Sequence, residues 1–491
     1  MRKYPLCIVI VACLVSHVST AASQEPSAEA VSTLNAVRAQ VDRLDRQHPG
    51  AVWPGFAPSS VPVLYVLPDQ GTLLGGWDGE LPDGFRRVRG HPGLGWQPEA
   101  ARGAASTGTT LEGRGTAQVV VHGVELGPLV GLTVHEAFHV HQAEVRREGR
   151  RFGRGENSFL VTQYPIFDTE NEARFALEGR ILAAALAAES DSMARALAQR
   201  FVAVREARQR KLDPELAEFE MLVELNEGLA QYAGIRAIRL LAEGAGPPLR
   251  AELMTEADAM LGDLERLIES GARSFRLRFY HSGPGQALLL DRLAAPEWKS
   301  ELLEDDLTLQ ESLARASGYR AYETALRREA RRRFDAEAVG AAAEESIEAL
   351  RSRLATRVDS VLSRPGVRLL IEAKALGFVG LCGIDPQNLL QVDAGVLLHT
   401  RWFQPCVGSA LQGQFTTPVV HDQNALTLEA VIGAPAEVEL TVDGEPVALT
   451  DGLSLSGAEA VALDAPGATF RFSLADIEME DGILTIRPRR G

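Results

Sequence analysis

The first regular pattern along the chain is helical. Apolar residues recur every three or four positions between residues 25 and 48, at Val31, Leu34, Val37, Val41 and Leu44. This spacing places all of them on one face of an amphipathic helix. The pattern stops at His48-Pro49-Gly50, because proline and glycine interrupt a helix.

Strand-like runs follow the first helix. Three stretches rich in β-branched and apolar residues are separated by loops that contain glycine and proline. They cover Val61–Leu67, Thr72–Trp77 and Ala117–Val124. The runs predict a small mixed or antiparallel sheet.

From Leu129 to Leu362 the chain is rich in Ala, Leu, Glu and Arg, which favour helices. Long helical periods, such as those at residues 181–186 and 347–354, predict that this middle part is mostly helical.

The composition shifts toward Val, Thr and Gly after Arg364-Pro365-Gly366. Alternating runs at residues 437–442 and 469–474 predict strands. Three Asp-Gly pairs predict hairpin turns, at Asp443-Gly444, Asp451-Gly452 and Asp481-Gly482. The region from Gly366 to Gly491 is therefore expected to form a β-sandwich-like domain.

Taken together, these patterns predict an α+β protein with four segments. These are a signal peptide (1–23), an N-terminal helix with a β-rich segment (24–128), a helical core (129–365) and a C-terminal β domain (366–491). A chain of 491 residues with 45% hydrophobic residues is long enough for two or three folded units. The formal net charge of -16 makes nucleic acid an unlikely partner.

The N-terminus has the features of a secretory signal peptide. Arg2 and Lys3 precede an apolar run, and small residues follow it at positions 19–23. The run is shorter than the roughly 20 apolar residues of a membrane-spanning helix. We therefore expect an exported protein, secreted or periplasmic. A less favoured alternative is a lipid anchor at Cys13, within a segment that resembles a lipoprotein processing box.

Export bears on the cysteines. Removal of the signal peptide, with Cys7 and Cys13, leaves Cys382 and Cys406. An oxidising compartment favours a disulfide between them, and two free thiols are the alternative.

The segment His135-Glu136-Ala137-Phe138-His139 carries the candidate chemistry. Two histidines four residues apart on a helix project from one face, so both rings reach one zinc ion. Glu136, beside the first ligand, is placed to hold the water on zinc and to take its proton. The segment is apolar, and burial of His, Glu and His without a cation or another partner would be unfavourable. His141 points away from the pair and is expected to be an ordinary or supporting residue.

A catalytic zinc needs a third protein ligand and an open position. No further histidine follows in register after His139, which argues against three histidines. Two segments offer a glutamate instead. The favoured one is Glu227, and the other is Glu172.

Glu227 lies in Asn226-Glu227-Gly228-Leu229-Ala230-Gln231-Tyr232. This segment resembles the Asn-Glu-Gly-x-Ala-x-Tyr segment of gluzincin metallopeptidases, which include the aminopeptidase-N-like enzymes. The resemblance implies that Glu227 is the third zinc ligand, in a thermolysin-like domain. Residues 140–226, a longer link than is usual in that branch, must then form a helical insertion. Gly228 and Ala230 are expected to let this helix approach the metal helix closely.

Glu172 belongs to Asp168-Thr169-Glu170-Asn171-Glu172, whose Asn-Glu pair resembles the thermolysin type. That type has an aspartate four residues later, where this chain has Ala176. Glu172 or Asp168 is alternatively expected to hold a ligand histidine from behind.

Tyr280-His281-Ser282-Gly283 resembles the Tyr-x-x-Gly segment that opens a later helix near the site in gluzincin-like enzymes. The resemblance implies that Tyr280 or His281 donates a hydrogen bond to the oxyanion of the reaction intermediate. A glycine-rich turn that caps a helix is the alternative.

The Gly-x-Met-Glu-Asn motif that binds the substrate amine in the aminopeptidase branch is missing from this sequence. The strand at residues 119–124 is nevertheless expected to bind an extended peptide along its edge.

The sequence thus predicts an exported, zinc-dependent metallopeptidase that acts on peptides or proteins, with Zn²⁺ as cofactor and Glu136 as general base. Two alternatives remain: a binding or scaffold protein that keeps the fold, and a zinc hydrolase of a non-peptide amide.

Overall fold

The computed structural model describes residues 25–490, except 69, 99–104, 123–124, 268–274, 295–296, 322 and 386–387. The predicted signal peptide and Cys13 lie outside the described residues. Among the residues described, no helix is both long and apolar enough to cross a bilayer.

The first helix forms as its pattern predicts. Helix α1 (Ala28–Gln47) begins at Ser27, whose hydroxyl accepts a hydrogen bond from the Ala30 amide. Its apolar face is buried at the predicted positions, Val31, Leu34, Val37, Val41 and Leu44. At its far end, Arg43 donates a hydrogen bond to the Leu241 carbonyl oxygen, which ties α1 to the helical region.

The N-terminal sheet has six strands and is mixed. The strands are β1 (Val63–Leu67), β2 (Gly71–Gly75), β3 (Arg86–Val88), β4 (His91–Gln97), β5 (Thr107–Leu111) and β6 (Arg114–Val120). Their order is β3-β4-β2-β1-β6-β5; β1 and β6 pair in parallel, and the other described pairs of this sheet are antiparallel. The three predicted runs are all strands.

The third strand was predicted too long. It ends at Val120 rather than at residue 124, and residues 123–124 lie outside the described residues. β6 is also an inner strand, because it pairs with β1 on one side and β5 on the other. The pairing with β5 ends at Gln118, so the expectation that a peptide binds at residues 119–124 stays a prediction, and β5 is the edge strand at this end of the sheet.

The middle of the chain is helical, as predicted. Its helices are α2 (Leu126–Glu144), α3 (Thr169–Leu186), α4 (Asp191–Gln209), α5 (Pro214–Val223), α6 (Leu229–Glu243), α7 (Pro247–Leu261), α8 (Phe279–Leu293), α9 (Trp298–Glu304), α10 (Leu309–Ser317), α11 (Thr324–Arg333) and α12 (Ala336–Leu362). One π-helical turn, Glu224–Gly228, joins α5 to α6. The long link at residues 140–226 holds α3, α4 and α5, so it is mostly helical, as expected.

The C-terminal region is mostly sheet. Its strands are β7 (Arg368–Glu372), β8 (Gly380–Ile384), β9 (Leu389–Asp393), β10 (Val396–His399), β11 (Phe403–Val407), β12 (Leu411–Phe415), β13 (Val419–Asp422), β14 (Thr427–Val431), β15 (Glu439–Val442), β16 (Glu445–Val447), β17 (Ser454–Ala465), β18 (Ala468–Glu480) and β19 (Ile483–Pro488). Long strand β18 pairs with β17 along one edge and with β12 and then β19 along the other, so the hydrogen-bonded sheet branches there.

Two of the three predicted hairpin turns are present. Asp443-Gly444 joins β15 to β16, and Asp481-Gly482 joins β18 to β19; all four residues have positive φ. This conformation suits a tight hairpin turn. Asp451-Gly452 was wrongly predicted as a hairpin, because β16 and β17 lie on opposite sides of β15.

The expected disulfide is confirmed, since Cys382 and Cys406 are bonded, with Cα atoms 5.9 Å apart. It joins β8 to β11, which are paired strands.

The molecule is therefore α+β, with two clusters of buried apolar residues. One extends from Ala30 to Leu354 and includes both the N-terminal sheet and the helices, and the other extends from Val367 to Ile486. The boundaries predicted for the four segments, at residues 23/24, 128/129 and 365/366, stay predictions.

Candidate functional site

The two motif histidines lie on α2, a helix that is buried on most of its surface. His135 and His139 are one turn apart, and their Nε2 atoms are 3.2 Å from each other. Glu136 is also buried, and one of its carboxylate oxygens lies within 4.8 Å of a nitrogen of each histidine.

The π-helical turn supplies a further carboxylate. One oxygen of Glu227, Oε2, lies 3.2 Å from His139 Nε2 and 3.5 Å from His135 Nε2. Single π turns widen a helix locally and are frequent at functional sites. In this protein the turn brings Glu227 to the pair of histidines. Glu172 does not contact either histidine and pairs with Arg278 instead.

These three atoms have the spacing of ligands around a tetrahedral zinc ion. Bond lengths of about 2.0–2.2 Å in a tetrahedron place neighbouring ligand atoms about 3.3–3.6 Å apart. The observed separations of 3.2, 3.2 and 3.5 Å agree with this value. His135, His139 and Glu227 therefore form a donor set that fits zinc.

Two glutamines orient the histidine rings. His135 Nδ1 lies 3.1 Å from Gln231 Oε1, and His139 Nδ1 lies 2.8 Å from Gln142 Oε1. The amide nitrogen of Gln231 donates to the Met260 carbonyl, and that of Gln142 to the carbonyls of Leu225 and Asn226.

These backbone bonds determine which way each amide faces, so an oxygen faces each ring. An amide oxygen only accepts, so each Nδ1 carries a hydrogen, and Nε2 is the ring nitrogen that can bind a metal once it gives up its own hydrogen. Both rings are therefore oriented to bind a metal through Nε2.

The electrostatics at the same point favour a cation. Burial lowers the pKa of His139, but the hydrogen bond and negative charge of Glu227 outweigh burial and raise that pKa to about 8. Burial raises the pKa of Glu227, but hydrogen bonds from the two histidines outweigh it and hold that pKa well below its usual value. A positive charge between His139 and Glu227 is therefore stabilised.

Glu136 has a different environment. Burial raises the pKa of this carboxyl, the two histidines lower it, and Glu227 raises it again, with a net upward shift. A carboxylate with a raised pKa accepts a proton more readily, as a general base must.

Tyr280 also lies at the site. Its ring is parallel to that of His135, with centroids 6.0 Å apart, and its hydroxyl oxygen accepts a hydrogen bond from Arg276 at 2.8 Å. Burial and the charge of Glu227 raise the pKa of Tyr280, so the hydroxyl keeps its proton. His281 instead bonds the Leu261 carbonyl through Nδ1 and takes no part in the cluster.

The alternative residues from the sequence have other partners. Glu172 forms a buried ion pair with Arg278, and Asp168 accepts hydrogen bonds from the amides of Glu170 and Asn171 at the start of α3. Neither holds a ligand histidine, so that expectation was wrong, and Gln142 and Gln231 have this role instead. His141 packs against Phe56 and Phe138, and burial lowers its pKa to about 4.

Glycines allow two close helix contacts at the site. A Cβ on Gly228 would lie 2.8 Å from the Cα of Gly283 on α8, and one on Gly234 would lie 2.8 Å from the Gly131 carbonyl oxygen on α2. Gly228 was predicted to face the metal helix, but it faces α8, and Gly234 on α6 makes the close contact with α2.

A buried network of charges holds the π-helical turn from behind. Arg205 on α4 contacts Glu224 at 2.7 Å, and Ser282 on α8 donates a hydrogen bond to Glu224. Arg208 bonds Glu178 and Glu220 on the neighbouring helices α3 and α5. Helices α3, α4 and α5 thus support Glu227 through Glu224, which precedes it by three residues.

The edge strand of the N-terminal sheet lies beside α2. A Cβ on Gly108 of β5 would be 3.1 Å from the Cβ of His139. β5 pairs with β6 on one side, and its other edge is unpaired among the described strands.

Four site residues were not anticipated from the sequence: Gln142, Gln231, Arg276 and Glu156. Gln142 follows His139 by three positions and Gln231 follows Glu227 by four, so helical spacing was a usable signal for both. Arg276 precedes Tyr280 by four positions. Glu156 lies in a loop, and nothing in the sequence marks it.

No protein-family model matches this chain, and neither the curated proteins nor the solved structures gave a match.

Proposed function

We propose that this protein is a zinc-dependent metallopeptidase. The observation that carries the proposal is the convergence of His135 Nε2, His139 Nε2 and Glu227 Oε2 at mutual distances of 3.2–3.5 Å. Glu136 beside them supplies the base that such a hydrolase needs. The resemblance to gluzincins in the segments at His135, Glu227 and Tyr280 supports the same reading.

The roles of the residues follow from their positions. Zinc held by His135, His139 and Glu227 would supply a Lewis acid and a bound water of lowered pKa. Glu136 takes the proton from the attacking water and later gives it to the leaving amine. The Tyr280 hydroxyl accepts from Arg276 and keeps its own hydrogen, which bonds Glu227 here and would be donated to the oxyanion when a substrate binds.

A peptide is the substrate class that the surroundings support best. The unpaired edge of β5 offers backbone donors and acceptors next to the histidines, and an extended peptide can add to such an edge. A small non-peptide amide would make no use of this edge.

We also propose that the protein works in an oxidising compartment outside the cytosol. The bond between Cys382 and Cys406 supports this location, because disulfides persist mainly in exported proteins.

The test combines metal content with hydrolysis. Purified wild type, Glu136→Gln and Glu227→Ala are loaded with zinc, desalted and assayed for bound metal and for cleavage of a mixed peptide library. Wild type and Glu136→Gln should hold one equivalent of zinc, Glu136→Gln should lose hydrolysis by about 10²-fold or more, and Glu227→Ala should lose zinc. Glu144→Gln, an exposed glutamate on the same helix, is the matched control and should behave as wild type.

Wild type that stays free of metal under zinc-replete conditions would overturn the proposal. Zinc-loaded wild type that cleaves a non-peptide amide but no peptide would move the protein to the other class of zinc hydrolase. Full zinc binding and no hydrolysis of either would favour a binding protein.

A further inference from the structure

One guanidinium beside the proposed ligands contacts three side chains at once. Arg276 Nη2 donates to Glu227 Oε1 at 2.8 Å, Nη1 donates to the Tyr280 hydroxyl at 2.8 Å, and Nε donates to Glu156 Oε1 at 2.7 Å. Nη2 also contacts Glu156. Most of its donor hydrogens are therefore committed within the protein, which argues against a primary role in binding substrate.

The contact between Arg276 and Glu227 gives the two oxygens of that carboxylate different partners. Oε1 faces Arg276, while Oε2 faces the two histidine nitrogens. A carboxylate with one oxygen held in this way presents only the other oxygen to a metal. One-oxygen ligation keeps the site at three protein ligands and leaves a position open for water.

The contact with Tyr280 places the second functional group. Arg276 lies in the 3-10 turn Phe275–Arg278, just before α8, and Tyr280 lies four residues later in the first turn of α8, with its ring parallel to that of His135. The same guanidinium thus sets the position of Glu227 relative to that of the Tyr280 hydroxyl.

Glu156 offsets the charge of Arg276. Its side chain is only 4% exposed, and its Oε1 accepts hydrogen bonds from two nitrogens of the guanidinium, Nε and Nη2. Without Glu156, the full positive charge would act on Glu227 and oppose the binding of a cation. The pair Glu156–Arg276 therefore directs hydrogen bonds at Glu227 and Tyr280 while adding little net charge.

We propose that Arg276, balanced by Glu156, is a positioning residue that limits Glu227 to one-oxygen ligation and orients the Tyr280 hydroxyl. This inference rests on the proposed zinc site. A planar fork of donors is needed for these divergent contacts, and a lysine ammonium on a flexible stem cannot reproduce them.

The experiment compares Arg276→Lys with wild type, using cobalt(II) in place of zinc as a spectroscopic probe. Four-coordinate cobalt(II) absorbs visible light more strongly than five-coordinate cobalt(II). In Arg276→Lys the second oxygen of Glu227 becomes free to bind, so the visible band should weaken and shift. Peptide hydrolysis should show a fall in kcat of about tenfold or more, with KM within about twofold, because Tyr280 is misplaced.

The matched control is Arg292→Lys. Arg292 has the same exposed fraction of its side chain as Arg276, 26%, and likewise forms an ion pair, with Asp191. It lies away from the site and should give the spectrum and kinetics of wild type. Glu156→Gln is the second variant, and its zinc affinity should fall about tenfold because the charge of Arg276 is no longer offset.

The inference would be overturned if Arg276→Lys had the cobalt spectrum of wild type. It would also be overturned if Glu156→Gln bound zinc with the affinity of wild type. If Arg276→Lys fails to fold, Glu156→Gln decides the question through its affinity. Failure of the proposed function looks different, because wild type itself would then bind no metal or hydrolyse no peptide.

Discussion

Gln231 and Gln142 accept hydrogen bonds from the two histidine rings through neutral amides. Metal-binding histidines often donate this hydrogen to a carboxylate, which makes the ring a stronger ligand. The amides select the same tautomer without adding negative charge. Since Glu136, Glu227 and Glu156 already place three carboxylates close together, neutral partners limit the repulsion among them.

Replacement of Gln231 by Met should weaken zinc binding about 10- to 100-fold. The Nδ1–H of His135 then loses its acceptor, and the ring is free to rotate or change tautomer. Zinc affinity is measured by competition with a chromophoric chelator. Gln199→Met is the control, since Gln199 also donates its amide to a backbone carbonyl, that of Ser317, but contacts no ligand histidine. Equal zinc affinities for both variants would contradict the assigned role.

At the scale of helices and strands, local signals predicted more than nonlocal ones. The period of α1 and the turns at Asp443 and Asp481 depend on neighbouring residues, and the structure has them as predicted. The turn at Asp451 failed because its flanking strands pair with a third strand rather than with each other.

The candidate site shows the same division. The spacing of His135 and His139 on one helix face could be read directly from the sequence. Glu227 was identified only through a resemblance, because the distance along the chain gives no information about its approach to α2. The helix that faces Gly228 was predicted wrongly for the same reason, and the loop residue Glu156 had no pattern at all.

The crossing of α6 and α8 can be tested at Gly228. A Cβ there would lie 2.8 Å from the Gly283 Cα and 3.2 Å from the Phe279 carbonyl oxygen, and both are backbone atoms that cannot move aside alone. Gly228→Ala should therefore destabilise the protein by about 1–3 kcal/mol, as overpacking does, and should also lower zinc affinity by displacing Glu227.

Gly340→Ala is the matched control, because Gly340 lies within helix α12 and a Cβ there meets no atom within 4 Å. It should stabilise the protein by about 0.5–1 kcal/mol through helix propensity. Urea unfolding measures both changes. Stabilisation in both variants would show that α6 and α8 are not in close contact at Gly228.

At the scale of the whole molecule, the two apolar clusters differ in the charged groups that they contain. The helical cluster surrounds paired charges, such as those of Arg205 with Glu224 and Arg208 with Glu220. The sheet region instead buries two histidines, His399 on β10 and His421 on β13, each 1% exposed. Their rings are 5.8 Å apart, and Phe403 stacks on His399 at 3.9 Å.

Both histidines are held neutral. Burial lowers the pKa of His399 to about 3, with a smaller contribution from His421. Burial lowers the pKa of His421 to about 4, although the nearby Asp422 opposes the shift. Neither ring nitrogen of His399 has a hydrogen-bond partner among the residues described. Protonation in the folded state would therefore place an unpaired charge in the apolar interior.

The sheet region should accordingly lose stability in acid. In the unfolded chain a histidine has a pKa near 6.5, above the folded values, so the unfolded state binds more protons below that pH. The stabilisation is complete above about pH 6.5 and is lost as the pH falls toward about 4, with a slope of up to about 1.4 kcal/mol per pH unit for each histidine.

His399→Leu should reduce this slope by the contribution of one histidine between about pH 6 and about pH 5. Urea unfolding, followed by hydrogen exchange of peptides from β10 and β13, measures the slope for that region alone. His91→Leu is the control, because His91 lies on an exposed part of β4, where its ring bonds Asn35. A slope in His399→Leu equal to that of wild type would mean that acid acts through groups outside this histidine pair.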